Sequence, residues 1–128
     1  MSIVLSEEIA DKLDDSLHRL IEESGATYAM LTDMGGNLLS KAGDEAFDGS
    51  ALAVLTAANF AATKEIASLI GEKDFSLLFH RGENENVHFT KITTEIILIV
   101  LFKPYLSLGL LRLKVDSIKD ELNEILEA

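Results

Sequence analysis

The segment at residues 96–102 (IILIVLF) constrains the fold more than any other part of the chain, because all of its residues are apolar. A strand with one solvent face alternates apolar and polar residues, so the stretch Glu95–Phe102, which contains this run, is predicted to be a central strand that is buried on both faces. Amphipathic helices must then cover both faces of the sheet. The run is too short to cross a bilayer, which needs about 20 apolar residues.

Apolar residues at helical spacing predict three helices. Ser6 is the expected N-cap of the first helix, which ends at Gly25. Ser50 is the expected N-cap of the second helix, which runs to about Ile70, and a third helix is predicted over 107–127. The stripes expected to be buried are Ile9, Leu13, Leu17, Leu20 and Ile21 in the first helix, and Leu113, Ile118, Leu122, Ile125 and Leu126 in the third.

Segments rich in β-forming residues predict four further strands, at 26–33, 37–42, 75–81 and 87–93. Met34-Gly35-Gly36 supplies the turn between the first two. The element order is then α-β-β-α-β-β-β-α, so the predicted fold class is α+β, with three helices and a five-stranded, mainly antiparallel sheet. No linker or repeat interrupts the pattern, and we interpret residues 1–128 as a single domain.

The third and fourth strands are predicted to form a hairpin in which Phe79 faces Phe89 and His80 faces His88. Aromatic pairs across neighbouring strands favour that register.

The charge balance limits the classes of partner. The chain has 11 Lys and Arg residues against 22 Asp and Glu residues, a formal net charge of −11. This balance repels phosphate backbones and anionic lipids, so neither nucleic acid nor a membrane is an expected partner. The chain lacks cysteine, which removes disulfides and thiol nucleophiles. The opening MSIVLSEE does not have the pattern of a signal peptide, so a cytoplasmic location is expected.

The second helix differs from the other two in charge. Between residues 50 and 70 the only charged residues are Lys64 and Glu65, whereas the outer helices are strongly acidic. At about 3.6 residues per turn, the arc expected to face the sheet comprises Leu52, Leu55, Asn59, Ala62, Ile66, Leu69 and Ile70. The opposite arc, expected to be a dimer or partner interface, comprises Ala53, Ala57, Phe60, Ala61, Lys64 and Ser68.

A helix that is apolar nearly all round is normally buried all round. Small residues let two helices approach closely around an aromatic anchor. We therefore predict a dimer, and Phe60→Asp is expected to abolish dimerisation or partner binding. The alternatives are an alanine-rich helix selected for its helix propensity, or a helix covered by the 43–49 loop.

Motifs for catalysis are missing from the sequence. It contains no GxSxG elbow, no Walker A loop and no GxGxxG loop, so no catalytic, cofactor-binding or metal-binding residue is predicted, and the chain is not expected to be an enzyme. Two weaker hypotheses remain. His80 and His88, with Glu83 or Glu85, have the ligand types of a zinc site. Arg81 can act as an arginine finger or simply solubilise the surface.

Several segments resemble the Roadblock/dynein light-chain family, and more narrowly its bacterial MglB-type members. These are ATYAMLTDMGGNLLSKAG (26–43), LTAANFAATKEIASLIGEKDFSLLFHRGENENVHFTKI (55–92), IILIVLF (96–102) and SLGLLRLKV (107–115). The resemblance extends from about Ser6 to Leu126 and implies a Roadblock fold, similar to longin and profilin domains.

The resemblance also implies a function. It implies a homodimer in which the second helices pack together and edge strands from the third β segment can join the two sheets. The helix face and its adjoining loops would bind a Ras-like small GTPase of the MglA type and stimulate GTP hydrolysis, in cell polarity and gliding motility. It further implies that no arginine of the regulator enters the active site. By position, Ala57, Phe60, Ala61 and Lys64 belong to the implied surface. A dimeric scaffold that tethers proteins without affecting nucleotide turnover is the alternative.

Overall fold

The computed structural model of the chain describes residues 5–127, and these form three helices and five strands. In chain order the elements are α1 (Glu7–Ser24), β1 (Tyr28–Asp33), β2 (Leu38–Gly43), α2 (Gly49–Leu69), β3 (Leu77–His80), β4 (Asn86–Lys91), β5 (Ile96–Phe102) and α3 (Leu108–Glu127). The predicted element order and fold class are confirmed.

β5 is the central strand of the sheet, whose order is β2-β1-β5-β4-β3. Every neighbouring pair of strands is antiparallel, with Leu31 of β1 opposite Leu98 and Phe89 of β4 opposite Ile99. All residues of β5 except Leu101 are buried. The prediction made from the apolar run at 96–102 is therefore confirmed.

Helices cover both faces of this sheet. On one face α1 and α3 pack together over a core that includes Ala29, Leu31, Leu98, Val100 and Phe102. On the other face α2 packs over Tyr28, Met30, Phe89, Ile97 and Ile99. Because successive side chains of a strand point to opposite faces, β1 and β5 supply alternate residues to the two cores. The sheet thus separates α2 from the other two helices.

The predicted buried stripe of α3 is wrong at Leu113, which is exposed. Leu111, Val115, Ile118 and Leu122 are the buried residues, and their spacing follows one face of a helix. Leu113 is two residues from Leu111 and therefore lies on the opposite side of the helix. The stripe of α1 is confirmed, with Leu13, Leu17 and Leu20 buried and Ile9 and Ile21 partly buried.

The predicted ends of α1 are confirmed. The Ser6 hydroxyl accepts a hydrogen bond from the Ile9 N–H at 3.2 Å. Gly25 has a φ of 79°, in the left-handed region that glycine adopts without strain, and its N–H donates to the Ile21 carbonyl at 2.9 Å.

The N-cap of α2 is Asp48, so the prediction of Ser50 is wrong. The Asp48 carboxylate accepts hydrogen bonds from the N–H groups of Ser50 at 3.0 Å and Ala51 at 3.2 Å. A charged carboxylate is stabilised by the positive end of the helix dipole, which a serine hydroxyl exploits less. The helix consequently begins one residue before Ser50, at Gly49.

The β3–β4 hairpin is shifted by one residue from the predicted register. Leu78 pairs with Phe89, and Phe79 pairs with His88. A shift of one residue exchanges the faces of a strand, so Phe79 points to the side of α1 and α3. There its ring stacks on Phe102, with centroids 6.1 Å apart. That contact replaces the pairing of Phe79 with Phe89.

Candidate interaction surface

α2 lies on the sheet through its small residues. Ala53, Ala57 and Phe60 are buried against the sheet, and Phe60 is only 1% exposed. The predicted assignment of these three residues to an outward face is therefore wrong. Since Phe60 belongs to the core of the protomer, Phe60→Asp is not a selective test of an interface.

The bulk of the sheet residues explains this orientation. The surface beneath α2 carries the large side chains of Tyr28, Met30, Phe89, Ile97 and Ile99. Close packing of large groups on one surface requires small groups on the other, and alanines let the helix backbone approach the sheet. Phe60 fills the remaining space, with its ring edge-to-face with that of Phe89 at a centroid distance of 6.4 Å.

The opposite side of α2 presents large apolar side chains to solvent. We call this surface the exposed α2 face, and it comprises Ala51, Val54, Leu55, Ala58, Ala62, Ile66, Leu69 and the C-cap residue Ile70, with the charged residue Glu65 among them by helical position. Its five large side chains are between 52% and 87% exposed. A contiguous exposed apolar surface of this kind marks an interaction site. Among the described residues, no helix combines the length and the apolar character that crossing a membrane requires.

The other three predicted interface residues are placed differently. Ala61, Lys64 and Ser68 are exposed, and by their helical positions Ala61 and Ser68 lie between the buried side of α2 and the exposed α2 face. All three residues remain candidates for a partner contact, with Ala61 and Ser68 at the border of the exposed α2 face rather than at its centre.

The β1–β2 turn supports the N-terminal half of this helix. One oxygen of the buried Asp33 carboxylate accepts hydrogen bonds from the N–H groups of Gly35 at 3.0 Å and Asn37 at 2.9 Å. Gly36 has a φ of 84°, and a Cβ at that position would lie 3.0 Å from the Val54 Cα. The glycine thus serves both the turn and the close approach of the turn to α2.

A cluster of charges anchors the chain after the C-terminal half of α2. Asp74 forms an ion pair with Lys91, whose ammonium group lies 5.7 Å from the centre of the Phe60 ring. The hydrogen bond from Lys91, followed by one from the Phe75 N–H and by the charges of Lys91 and Lys64, lowers the pKa of Asp74. Lys64 is therefore close enough to Asp74 for its positive charge to act on that carboxylate.

The residues of the two weaker hypotheses are not brought together. His80 pairs with Val87 in the observed register, and its ring lies 5.3 Å from that of Phe89, on the α2 side. His88 is buried on the other side, near Arg112. The pairing of His80 with His88 is wrong because the register differs by one residue. Within residues 5–127 no group of three potential metal ligands occurs.

Arg81 is exposed at the end of β3. Its guanidinium carbon lies 6.0 Å from the centre of the Phe79 ring. This position is on the same side of the sheet as α1 and α3, away from the exposed α2 face. The geometry therefore separates Arg81 from the surface on which a partner of α2 would lie.

The fold is a five-stranded sheet that is covered by two helices on one face and by a single helix with an exposed apolar side on the other. The sequence model described as the Roadblock/LC7 domain matches residues 12–102. The chain belongs to the Roadblock/LC7 family and is a Roadblock-family regulator.

Solved structures of MglB proteins are similar to the chain over nearly its whole length. Myxococcus xanthus MglB is 37% identical, with a TM-score of 0.91 over 98% of this chain and 95% of that one. The gliding protein MglB of Thermus thermophilus is 28% identical, with a TM-score of 0.90 over 98% and 96%. A structure described as "MglB with tetrameric arrangement" is 28% identical, with a TM-score of 0.92 over the same shares. Among curated protein sequences, none matches the chain.

Proposed function

We propose that the chain is a non-enzymatic homodimer that binds a bacterial Ras-like small GTPase of the MglA type and stimulates its GTP hydrolysis. The observation that carries the proposal is the exposed α2 face on an MglB-like fold. The setting implied by the resemblance is cell polarity and gliding motility in the cytoplasm.

The exposed α2 face supports pairing of two copies. Leu55, Ile66 and Leu69 are left in water by a single chain, and burying apolar area stabilises association by about 25 cal/mol per Å². Ala58 and Ala62 lie between these side chains along the helix and permit close approach of a second helix. The similar protein in a tetrameric arrangement supports self-association in this branch of the family.

The sheet provides a second contact for the same dimer. β3 is an edge strand, with β4 as its only strand neighbour among the described residues. Its outer N–H and C=O groups are available to another strand. Pairing of two β3 strands would be compatible with the dimer that the family resemblance implies.

The GTPase would be regulated by differential binding. A regulator accelerates hydrolysis only if it binds the transition-state arrangement of the switch loops more tightly than the ground state. Each ~1.4 kcal/mol of this difference raises the rate about tenfold. Under this proposal the protein holds the GTPase's own loops in place and contributes no arginine, which is compatible with the position of Arg81 away from α2.

Two measurements test the proposal. The first is the mass in solution by light scattering, for which we expect two or more chains per particle. The second is single-turnover GTP hydrolysis by the MglA-type GTPase of the same organism, with and without the protein, for which we expect an acceleration of at least about tenfold. Leu55→Asp should abolish α2 pairing and the acceleration of hydrolysis because it places a charge in the centre of an apolar interface.

Leu113→Asp is the matched control, because Leu113 is 66% exposed and Leu55 is 67% exposed, but Leu113 lies on the opposite side of the sheet. We expect this variant to keep α2 pairing and GTPase stimulation. A monomeric wild-type protein would contradict the homodimer. Binding to the GTPase without acceleration would instead support the scaffold alternative.

A further inference from the structure

A pocket of about 300 Å³ lies between the segment that precedes α2 and the β3–β4 turn. We call it the Glu85 pocket, and its lining comprises Thr27, Asp44, Ala46, Phe47, Glu85, Leu101 and Lys103. Leu101 packs against the core beneath α2, and the Phe47 ring lies edge to face with Tyr28 of that core, with centroids 4.9 Å apart. The Glu85 pocket is therefore on the same side of the sheet as the exposed α2 face.

The Glu85 carboxylate has one satisfied and one unsatisfied oxygen. Its Oε1 accepts a hydrogen bond from the Thr27 hydroxyl at 2.6 Å. Its Oε2 is buried and has no hydrogen-bond partner within residues 5–127. Lys103 Nζ lies 3.6 Å from Oε2, which is too far for a hydrogen bond. Since a carboxylate oxygen can only accept hydrogen bonds, Oε2 lacks a donor that another molecule can supply.

The charges that line the pocket are unequal in number. Asp44 is exposed and forms no ion pair with any other described residue. The carboxylates of Asp44 and Glu85 therefore line the pocket with only one ammonium group, that of Lys103. The Lys103 side chain is 43% exposed, so water screens its charge. The lining is thus complementary to one further positive charge.

The shape of this lining favours an arginine side chain over a compact ammonium group. The two carboxylates come from different segments, one after β2 and one before β4. A guanidinium group carries five N–H donors in one plane, so it can donate to two acceptors at once. Phe47 supplies an aromatic ring on which that plane can stack. Ala46 and Leu101 supply apolar surface for the methylene groups of the arginine.

The chain's own arginines lie elsewhere. Arg19 pairs with Glu121 between α1 and α3, Arg81 lies near the Phe79 ring, and Arg112 belongs to α3. All three are on the side of the sheet that α1 and α3 cover. A second copy that pairs through α2 therefore brings no arginine to the Glu85 pocket, and a different protein must supply it.

We propose that the Glu85 pocket binds an arginine side chain of the GTPase that docks on the α2 side of the protein. The inference rests on the proposed function and adds a polar contact to the apolar surface of α2. Ala46 and Phe47 immediately precede the N-cap of α2. A protein that covers the N-terminal half of this helix is therefore next to the pocket. Charge complementarity of this kind contributes to the specificity of an interface.

Titration of the full chain with N-acetyl-arginine methylamide, followed by nuclear magnetic resonance, tests the pocket directly. We expect saturable shifts of the backbone signals of Thr27, Phe47 and Glu85. The corresponding citrulline compound has nearly the same shape without the charge and should cause no such shifts. The lysine compound should bind more weakly than the arginine compound, because its ammonium group neither stacks nor spans two acceptors.

Glu85→Gln is the variant that tests the occupant. It keeps an acceptor for the Thr27 hydroxyl but removes the charge, so the fold and the mass in solution should not change. We expect it to bind both the arginine compound and the MglA-type GTPase of the same organism at least about tenfold more weakly. Glu83→Gln is the matched control, because Glu83 is exposed in the same turn and outside the lining of the pocket. This control should retain wild-type affinity for both.

Several outcomes would overturn the inference. Equal shifts with the arginine and citrulline compounds, or none with either, would exclude an arginine site. Unchanged affinity of Glu85→Gln for the GTPase would exclude the GTPase as the occupant and leave the proposed function intact. Equal losses in Glu85→Gln and Glu83→Gln would assign the effect to net charge rather than to the pocket. A wild-type protein that does not bind the GTPase would contradict the proposed function itself, and the arginine compound would still report on the pocket.

Discussion

The rings of Phe60 and Phe89 meet edge to face beneath α2, with centroids 6.4 Å apart and planes at 74°. Both residues are buried, and they join the helix to the strand next to the central strand. Edge-to-face geometry is a favoured arrangement of two aromatic rings. The contact fixes which side of α2 faces the core, and so also which side remains exposed.

Truncation of this ring should destabilise the protomer itself. Phe60→Ala is expected to lower the free energy of unfolding by about 3–5 kcal/mol, because it leaves a cavity between α2 and the sheet. Phe60→Leu keeps most of the volume and should cost less than about 1.5 kcal/mol. Urea unfolding followed by circular dichroism measures both. If the free energy of unfolding of Phe60→Ala is within about 0.5 kcal/mol of the wild-type value, the assignment of Phe60 to the core is wrong.

The N-terminus of α2 offers a comparison of two adjacent polar residues. Asp48→Ala removes the acceptor for the N–H groups of Ser50 and Ala51, and we expect a loss of about 1 kcal/mol in the free energy of unfolding. Ser50→Ala leaves that cap in place and should change stability by less than about 0.5 kcal/mol. Equal losses in the two variants would contradict the cap seen in the structure. Chemical unfolding at neutral pH provides the measurement.

The buried His88 should make stability depend on acidity. Burial, followed by the positive charge of Arg112, lowers the pKa of His88, while Asp116 acts in the opposite direction. The unfolded chain takes up the proton near pH 6.5, whereas the folded chain resists it. The stabilisation is therefore present above about pH 6.5 and is lost as the pH falls, by at most about 1.4 kcal/mol per pH unit.

Replacing the two histidines of the hairpin tests this dependence. His88→Leu should flatten the fall of the unfolding free energy between about pH 7 and pH 5. His80→Leu changes an exposed imidazole on the neighbouring strand and is the control. The same slope in His88→Leu and wild type would argue against a neutral, buried imidazole.

The buried Tyr28 should make the free energy of unfolding fall as the pH rises into the alkaline range, whereas His88 acts as the pH falls. Burial, with a smaller contribution from Glu45, raises the pKa of Tyr28 to about 12, against about 10 in an unfolded chain. The stabilisation is complete below about pH 10 and is lost as the pH rises toward 12. Tyr28→Phe should remove this alkaline loss, and Tyr105→Phe, on the surface, should retain it. Thermal unfolding between pH 9 and pH 11.5, both approximate limits, distinguishes the two variants.

The order of the elements, the central strand and the ends of α1 could be predicted from the sequence because they depend on interactions between residues close together in the chain. The unbroken apolar run at 96–102 identifies the central strand, and a serine and a glycine at the ends of α1 act through hydrogen bonds within a few residues. These features depend little on what the rest of the chain does. The predicted N-cap of α2 was wrong, although capping is also a local effect. Asp48 and Ser50 are both residue types that cap helices, and the structure uses the Asp48 carboxylate.

The orientation of α2 and the register of the hairpin depend instead on contacts between elements. Both sides of α2 are apolar, so periodicity cannot choose between Leu55 and Ala57 for the core. The choice is made by the bulky side chains of the sheet beneath it, and comparing the sizes of residues on helix and strands would have favoured the alanine side. For the hairpin, stacking of Phe79 on Phe102 outweighed the expected Phe79–Phe89 pair, and Phe102 lies far away in sequence.

The position of β5 also bears on the synthesis of the chain. β5 is the last strand to leave the ribosome, yet it supplies the hydrogen-bond partners of both β1 and β4. Until Phe102 has emerged, β1 and β4 each lack the central strand that pairs with them in the folded sheet. The sheet is therefore completed late in translation, and before then the open edges of β1 and β4 can pair with strands of other nascent chains.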